Sequence, residues 1–128
     1  FEGFSEDARA SESFQAAHRN TAVEKVLAIM PHPGSVTVKP GFFPESLEGL
    51  EDRFCLVSLD VDFYRTTLDG LRYFWPRLEK GGYLMLHDWG NPALAGVRQA
   101  LEDYEAELGY RIPAVPLCDV GGSLILCK

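Results

Sequence analysis

The sequence has no apolar run near the ~20 residues that cross a bilayer, and no signal-peptide pattern at its start. Neither a helical membrane span nor export is therefore expected, and the anticipated location is cytoplasmic. Positive charge is scarce: 12 Lys and Arg stand against 19 Asp and Glu, giving a net charge of −7. A phosphate backbone needs a basic face, so nucleic acid is not an expected partner. Only three cysteines occur, Cys55, Cys118 and Cys127. They lack paired spacing and lie in apolar runs, which predicts free buried thiols in a reducing compartment. The phosphate-cradling patterns GxGxxG and GxxxxGK are missing, so Gly41 and the Gly81-Gly82 pair are not read as a nucleotide loop. Repeats and low-complexity tracts are absent as well. The chain opens on Phe1-Glu2-Gly3-Phe4 rather than Met. These residues read as the loop after a strand, and a fragment or processed product is expected.

What is present fits one domain, with 46% hydrophobic and 24% charged residues over 128 positions. Residues 5–20 are polar and weakly patterned, which suggests a mobile or partly helical connection. Thr21 and Glu24 form a capping box, and Val23, Val26, Leu27 and Met30 fall on one helical face before Pro31. Ser35-Val36-Thr37-Val38-Lys39 alternates like a strand, and a short helical turn through Leu47 and Leu50 follows a loop at Gly41. Residues 54–60 read as a buried strand. The next helix, capped by Thr66 or Thr67, shows an inward stripe of Leu68, Leu71, Trp75 and Leu78. Pro76 shortens or kinks it, and Gly81-Gly82 ends it. A second buried strand covers 83–87. Asn91-Pro92 then starts an amphipathic helix carrying Leu94, Val97, Leu101, Tyr104 and Leu108, closed by Gly109. Two final strands, 112–117 and 124–127, are joined by a link short enough to make them antiparallel. The alternation of helix and strand predicts an α/β doubly wound sheet with an antiparallel C-terminal hairpin.

Two apolar runs end abruptly in polar groups: Val57-Ser58-Leu59-Asp60-Val61-Asp62 and Tyr83-Leu84-Met85-Leu86-His87-Asp88. Functional groups of open parallel sheets lie just past the carboxyl ends of the strands. If the two strands are neighbours, Asp60, Asp62, His87 and Asp88 meet on one rim. In extended geometry Asp60 and Asp62 share a face. Carboxylates in such a cluster suit Mg²⁺, whereas His87 as a ligand shifts the preference toward Mn²⁺, Fe²⁺ or Zn²⁺. Capping of the following helix or loop is the structural alternative for these residues. His18 and His32 are expected in solvent, Trp75 in the core, and Trp89 at the rim, where it is placed to wall a pocket.

Several segments occur together in order: Phe1-Glu2-Gly3-Phe4, Gly41-Phe42-Phe43-Pro44-Glu45-Ser46-Leu47, Leu59-Asp60-Val61-Asp62-Phe63-Tyr64, Pro76-Arg77-Leu78, Gly81-Gly82-Tyr83, His87-Asp88-Trp89, Gly96-Val97 and Cys118-Asp119-Val120-Gly121-Gly122-Ser123. Along essentially its whole length the chain resembles the TylF-type macrocin O-methyltransferases, class I enzymes that use S-adenosylmethionine. The resemblance implies a Rossmann-like, mostly parallel sheet and metal-assisted methyl transfer to a hydroxyl of a sugar or glycosylated small molecule. It implies Asp60 as catalytic residue and metal ligand, His87 and Asp88 as completing a site for a divalent metal such as Mg²⁺, and Glu2, Gly41 and Phe42 on the cofactor side. Many family members carry Asp-Asp where this chain has His87-Asp88. A metal on the acceptor hydroxyl lowers its pKa and orients it toward the methyl group.

The family's first strand, its glycine-rich cofactor loop and the acidic residue that holds the ribose would fall before Phe1. This chain is thus expected to be roughly the C-terminal half, lacking the N-terminal strands and inactive by itself. In the family's strand order the residue 36–38 strand would lose its neighbours. It is then expected to pair with the 54–60 strand or with another chain, as a homo-oligomer. A phosphatase of the haloacid dehalogenase type is a competing reading of Asp60-Val61-Asp62, with Tyr64 where Thr or Val is expected. A DxD glycosyltransferase and a non-catalytic remnant serving assembly are the other two.

Overall fold

The computed structural model describes residues 22–128, which divide into two compact units meeting at Gly49 and Leu50. The predictions for Glu2, His18, Thr21 and the 5–20 connection lie outside the described residues.

In the first unit, helix α1 spans Val23–Ile29. Its N-cap is Ala22, one residue after the expected Thr21, and no side chain caps it. Pro31 removes a donor and clashes with the preceding turn, so the helix stops there. Single 3₁₀ turns follow at Pro33–Ser35 and Glu45–Leu47. The expected strand at 36–38 does not form: residues 36–40 have no regular structure, and β1 below has β2 as its one described ladder partner. An isolated strand leaves its backbone groups unpaired. This alternating run is only a few residues long, between a 3₁₀ turn and Pro40, too short to offset that.

The second unit is a four-stranded sheet in the order β1-β2-β4-β3. Its strands are β1 (Phe54–Leu59), β2 (Leu78–Leu86), β3 (Ala114–Pro116) and β4 (Leu124–Cys127). β1 and β2 run parallel, joined through helix α2 (Tyr64–Arg77). β4 is antiparallel to both β2 and β3, so the expected terminal hairpin is present. Helix α3 (Ala95–Leu108) packs on α2 and ends at Gly109, whose φ of +74° supplies the left-handed cap.

One face of the sheet makes the core. Val57 faces Leu84, which faces Leu126; Leu59 faces Leu86, which faces Leu124. All six are buried beneath the helical stripe of Leu68, Leu71 and Trp75, together with Val97, Leu101 and Tyr104. Burying each Leu contributes about 1.5–3 kcal/mol. On the opposite face Leu56, Tyr83 and Val115 stay exposed.

Three local expectations fail here. Helix α2 begins at Tyr64 with Phe63 as N-cap, so neither threonine caps it; the Thr66 hydroxyl instead donates to the Val61 and Phe63 carbonyls. Gly81-Gly82 does not end the helix but lies within β2, where the pairing register with β1 slips. The helix has already stopped one residue after Pro76, and a glycine inside a strand commonly marks such an irregularity. The thiols are free, as expected, but Cys55 and Cys118 are exposed and Cys127 is half-buried. The slip falls between Phe54 and Leu56, so strand alternation does not carry Cys55 inward.

Candidate metal centre

The last residues of β1 and β2, Leu59 and Leu86, stand side by side in parallel register. Asp60 and His87 therefore leave two neighbouring strands at the same level. The His87 amide donates to the Leu59 carbonyl at 3.0 Å, which extends the parallel pairing one step past the strand. Asp88 has a φ of +58°, a left-handed conformation that Asp adopts more readily than most residues. His87 Nδ1 lies 2.7 Å from Asp88 Oδ2 and 3.3 Å from Asp60 Oδ1. One ligand atom from each of Asp60, His87 and Asp88 falls within 4.8 Å of the other two.

Burial differs across the cluster. Asp88 is only 7% exposed. A buried carboxylate is costly unless it is hydrogen-bonded. Asn91 Nδ2 donates to Asp88 Oδ1 at 2.9 Å, leaving Oδ2 for the imidazole. The Asn91 side-chain Oδ1 accepts from the Ala93 amide at 3.0 Å and caps the 3₁₀ turn Pro92–Leu94, so Asn91-Pro92 starts this turn and not the amphipathic helix, which begins at Ala95. The Asp60 carboxylate is exposed and open to a solute.

The link between β3 and β4 closes the other side. The Gly90 amide donates to the Gly122 carbonyl at 2.8 Å. Asp119 accepts from the Ser123 amide at 2.7 Å and from its hydroxyl at 2.6 Å. Those hydrogen bonds hold the Asp119 carboxyl below the usual carboxylate range. Contact with Asp88 raises the His87 pKa, partial burial opposes this, and the charges of Asp60, Asp88 and Asp119 add to it. Two carboxylates and an imidazole nitrogen at these separations fit a small divalent ion, and the mixed donor set is compatible with Mg²⁺ or Mn²⁺.

A model of the family described as Macrocin-O-methyltransferase (TylF) matches residues 32–121. The chain belongs to the TylF family. Among curated proteins, this TylF-family chain is 35% identical over 75 residues to the 8-demethyl-8-(2,3-dimethoxy-alpha-L-rhamnosyl)-tetracenomycin-C 4'-O-methyltransferase of Streptomyces olivaceus. That match covers 58% of the chain and 28% of the relative. It is 31% identical over 71 residues to the Mycinamicin III 3''-O-methyltransferase of Micromonospora griseorubida, covering 55% and 27%. The structure of the O-methyltransferase NovP superposes with a TM-score of 0.75 at 18% identity, over 98% of this chain and 56% of NovP. At that identity the likeness concerns the fold. The matched stretches thus span under a third of the curated relatives' length. Family membership weighs against the phosphatase and glycosyltransferase readings.

The TylF-family chain brings together three of the four expected rim residues. Asp62 is not in the cluster: β1 ends at Leu59, and Asp62 adopts a φ of +63°, so the extended alternation that was to align it with Asp60 is broken. Gly41 and Phe42 lie in the first unit, where the Phe42 carbonyl accepts from the Ser46 amide at 2.7 Å and the Phe42 side chain is exposed. His32 is exposed and Trp75 is buried, both as expected. Trp89 is half-buried, with the Arg98 guanidinium 4.3 Å above its ring. Sequence reasoning took Asn91 only as a cap and missed its hold on Asp88. The Asp-x-x-Asn spacing was the available signal. The approach of the 119–122 link to His87 had none, because it is a contact across 34 positions of sequence.

Proposed function

We propose that this chain is the cation- and acceptor-binding portion of an S-adenosylmethionine-dependent O-methyltransferase acting on a sugar hydroxyl of a glycosylated small molecule. The observation that carries this reading is the convergence of Asp60, His87 and Asp88 at two parallel strand ends, in a chain of the TylF family. Both curated relatives are named for O-methylation at primed positions, one of them on a rhamnosyl-bearing compound, which supports a sugar hydroxyl as acceptor. In this reading the four strands are part of a wider, doubly wound Rossmann-like sheet. A divalent ion held by Asp60, His87 and Asp88 supplies Lewis acidity toward an acceptor hydroxyl. S-adenosylmethionine supplies the methyl group, and Glu2, Gly41 and Phe42 are its proposed contacts in this chain.

The protein's own groups have separable roles. Exposed Asp60 is the most open of the three to an acceptor and would take up the hydroxyl proton. Buried Asp88, fixed by Asn91, gives the site a rigid floor. His87 joins the two carboxylates.

Calorimetry with Mg²⁺ and Mn²⁺ tests the site. Saturable one-to-one binding is expected, weakened roughly 100-fold in Asp60→Asn and Asp88→Asn while both variants keep their unfolding midpoints. Transfer of labelled methyl from S-adenosylmethionine to rhamnosylated or macrolide-sugar acceptors by the whole gene product tests the activity. Absence of cation binding by the wild type would overturn the proposal and favour a non-catalytic role in assembly.

A further inference from the structure

The motif Cys118-Asp119-Val120-Gly121-Gly122-Ser123 has no part in the proposed chemistry, yet it abuts the site. A Cβ placed on Gly121 would lie 2.5 Å from His87 Nε2, 2.6 Å from Cε1 and 3.3 Å from Cδ2. Its three nearest obstacles all belong to that one imidazole. Gly121 is not among the residues with positive φ, so its backbone admits any L residue. The closest clashes of a side chain there are with the ring rather than with backbone.

The adjacent glycine behaves differently. Gly122 has a φ of +63°, and a Cβ on it would lie 2.9 Å from the Gly90 Cα. Its requirement for glycine comes from backbone conformation and backbone contact, independently of residue 87.

The imidazole is thus held between two walls. Nδ1 faces Asp88 at 2.7 Å and Asp60 at 3.3 Å, and the Nε2 edge occupies the space that Gly121 leaves open. The β3–β4 link is itself pinned, by the Gly90–Gly122 bond and by the Asp119–Ser123 contacts. A methyl group at 121 would push against the imidazole rather than against backbone. The losses would be the position of Nδ1 between the carboxylates and the His87–Asp88 hydrogen bond.

We infer that Gly121 is a positioning residue that holds the His87 imidazole against Asp60 and Asp88, so that positions 121 and 87 set cation affinity jointly. This rests on the proposed cation site. A shorter residue at 87 does not reach Gly121, so the requirement for glycine there disappears with the imidazole.

The experiment is a double-mutant cycle of Gly121→Ala and His87→Asp, read by Mn²⁺ calorimetry and thermal unfolding, with the metal-free crystal structure of Gly121→Ala. In the wild-type background Gly121→Ala is expected to weaken Mn²⁺ binding roughly tenfold or more, with a smaller fall in unfolding midpoint than Gly122→Ala gives. In the His87→Asp background it is expected to change affinity by less than about twofold, because independent sites simply add. The crystal structure is expected to show the His87–Asp88 contact broken. Gly122→Ala, the control, should lower the unfolding midpoint equally in both backgrounds. Equal loss of affinity in both backgrounds, or an unmoved imidazole in the crystal, overturns the inference while leaving the cation site standing. No Mn²⁺ binding by the wild type overturns the cation site itself.

Discussion

Asn91 shows how one side chain serves fold and site together. Its carbonyl oxygen caps a turn and its amide holds Asp88. Asn91→Ala should cost about 1 kcal/mol in urea unfolding, the ordinary loss of a cap. Asn91→Ser keeps a capping oxygen but cannot bridge to Asp88 in the same way. It should retain most of the stability while weakening Mn²⁺ binding roughly tenfold, read by calorimetry. The sequence pointed to Asp60, His87 and Asp88 because each ends or follows an apolar run, and apolar runs locate strand ends. It misplaced Asp62 because the same logic assumes that the strand continues. Asp tolerates the left-handed backbone found at Asp62 more readily than most residues, but its presence does not require that conformation.

At the scale of elements, legibility followed periodicity. Helix α2 and strands β1 and β4 formed close to where their apolar patterns lay, whereas β2 starts at Leu78, five residues before the expected 83, and α3 starts at Ala95, after a 3₁₀ turn. Leu71 in α2 is completely buried, so Leu71→Ala should cost about 2–5 kcal/mol in urea unfolding. Leu56→Ala, on the open face of β1, should stay within about 0.5 kcal/mol of wild type in the same measurement. What failed were the signals that depend on a partner. The 36–38 run alternates properly but pairs with no strand among the described residues. Gly81-Gly82 looks like a helix stop until the pairing of β2 with β1 draws both glycines into the strand.

For the whole molecule, the buried phenol of Tyr104 ties stability to pH at the alkaline end. Burial pushes the Tyr104 hydroxyl up to about 12, against about 10 in an unfolded chain. Its contribution to stability is therefore complete below pH 10 and is lost progressively as pH rises through about 12, because the unfolded chain releases the proton first. The urea midpoint should fall between pH 9 and pH 11.5, and Tyr104→Phe should reduce that fall. No described helix is long and apolar enough to cross a membrane. The family was legible from the order of its motifs, and its fold is shared by a solved structure only 18% identical.

The order of the strands also has a consequence in time. β4 comes last in sequence among the described elements, yet it lies inside the sheet, between β2 and β3. Until residues 124–127 reach residues 83–86, β2 keeps an open edge, and the loop after it lacks the grip of Gly122 on Gly90. Such distant pairing is slow, because the intervening loop must close before any contact rewards it. During synthesis the helices and the parallel pair can form early, while the rim of Asp60, His87 and Asp88 stays unfinished. Maturation of the site is thereby tied to completion of the sheet rather than to the emergence of the residues that compose it.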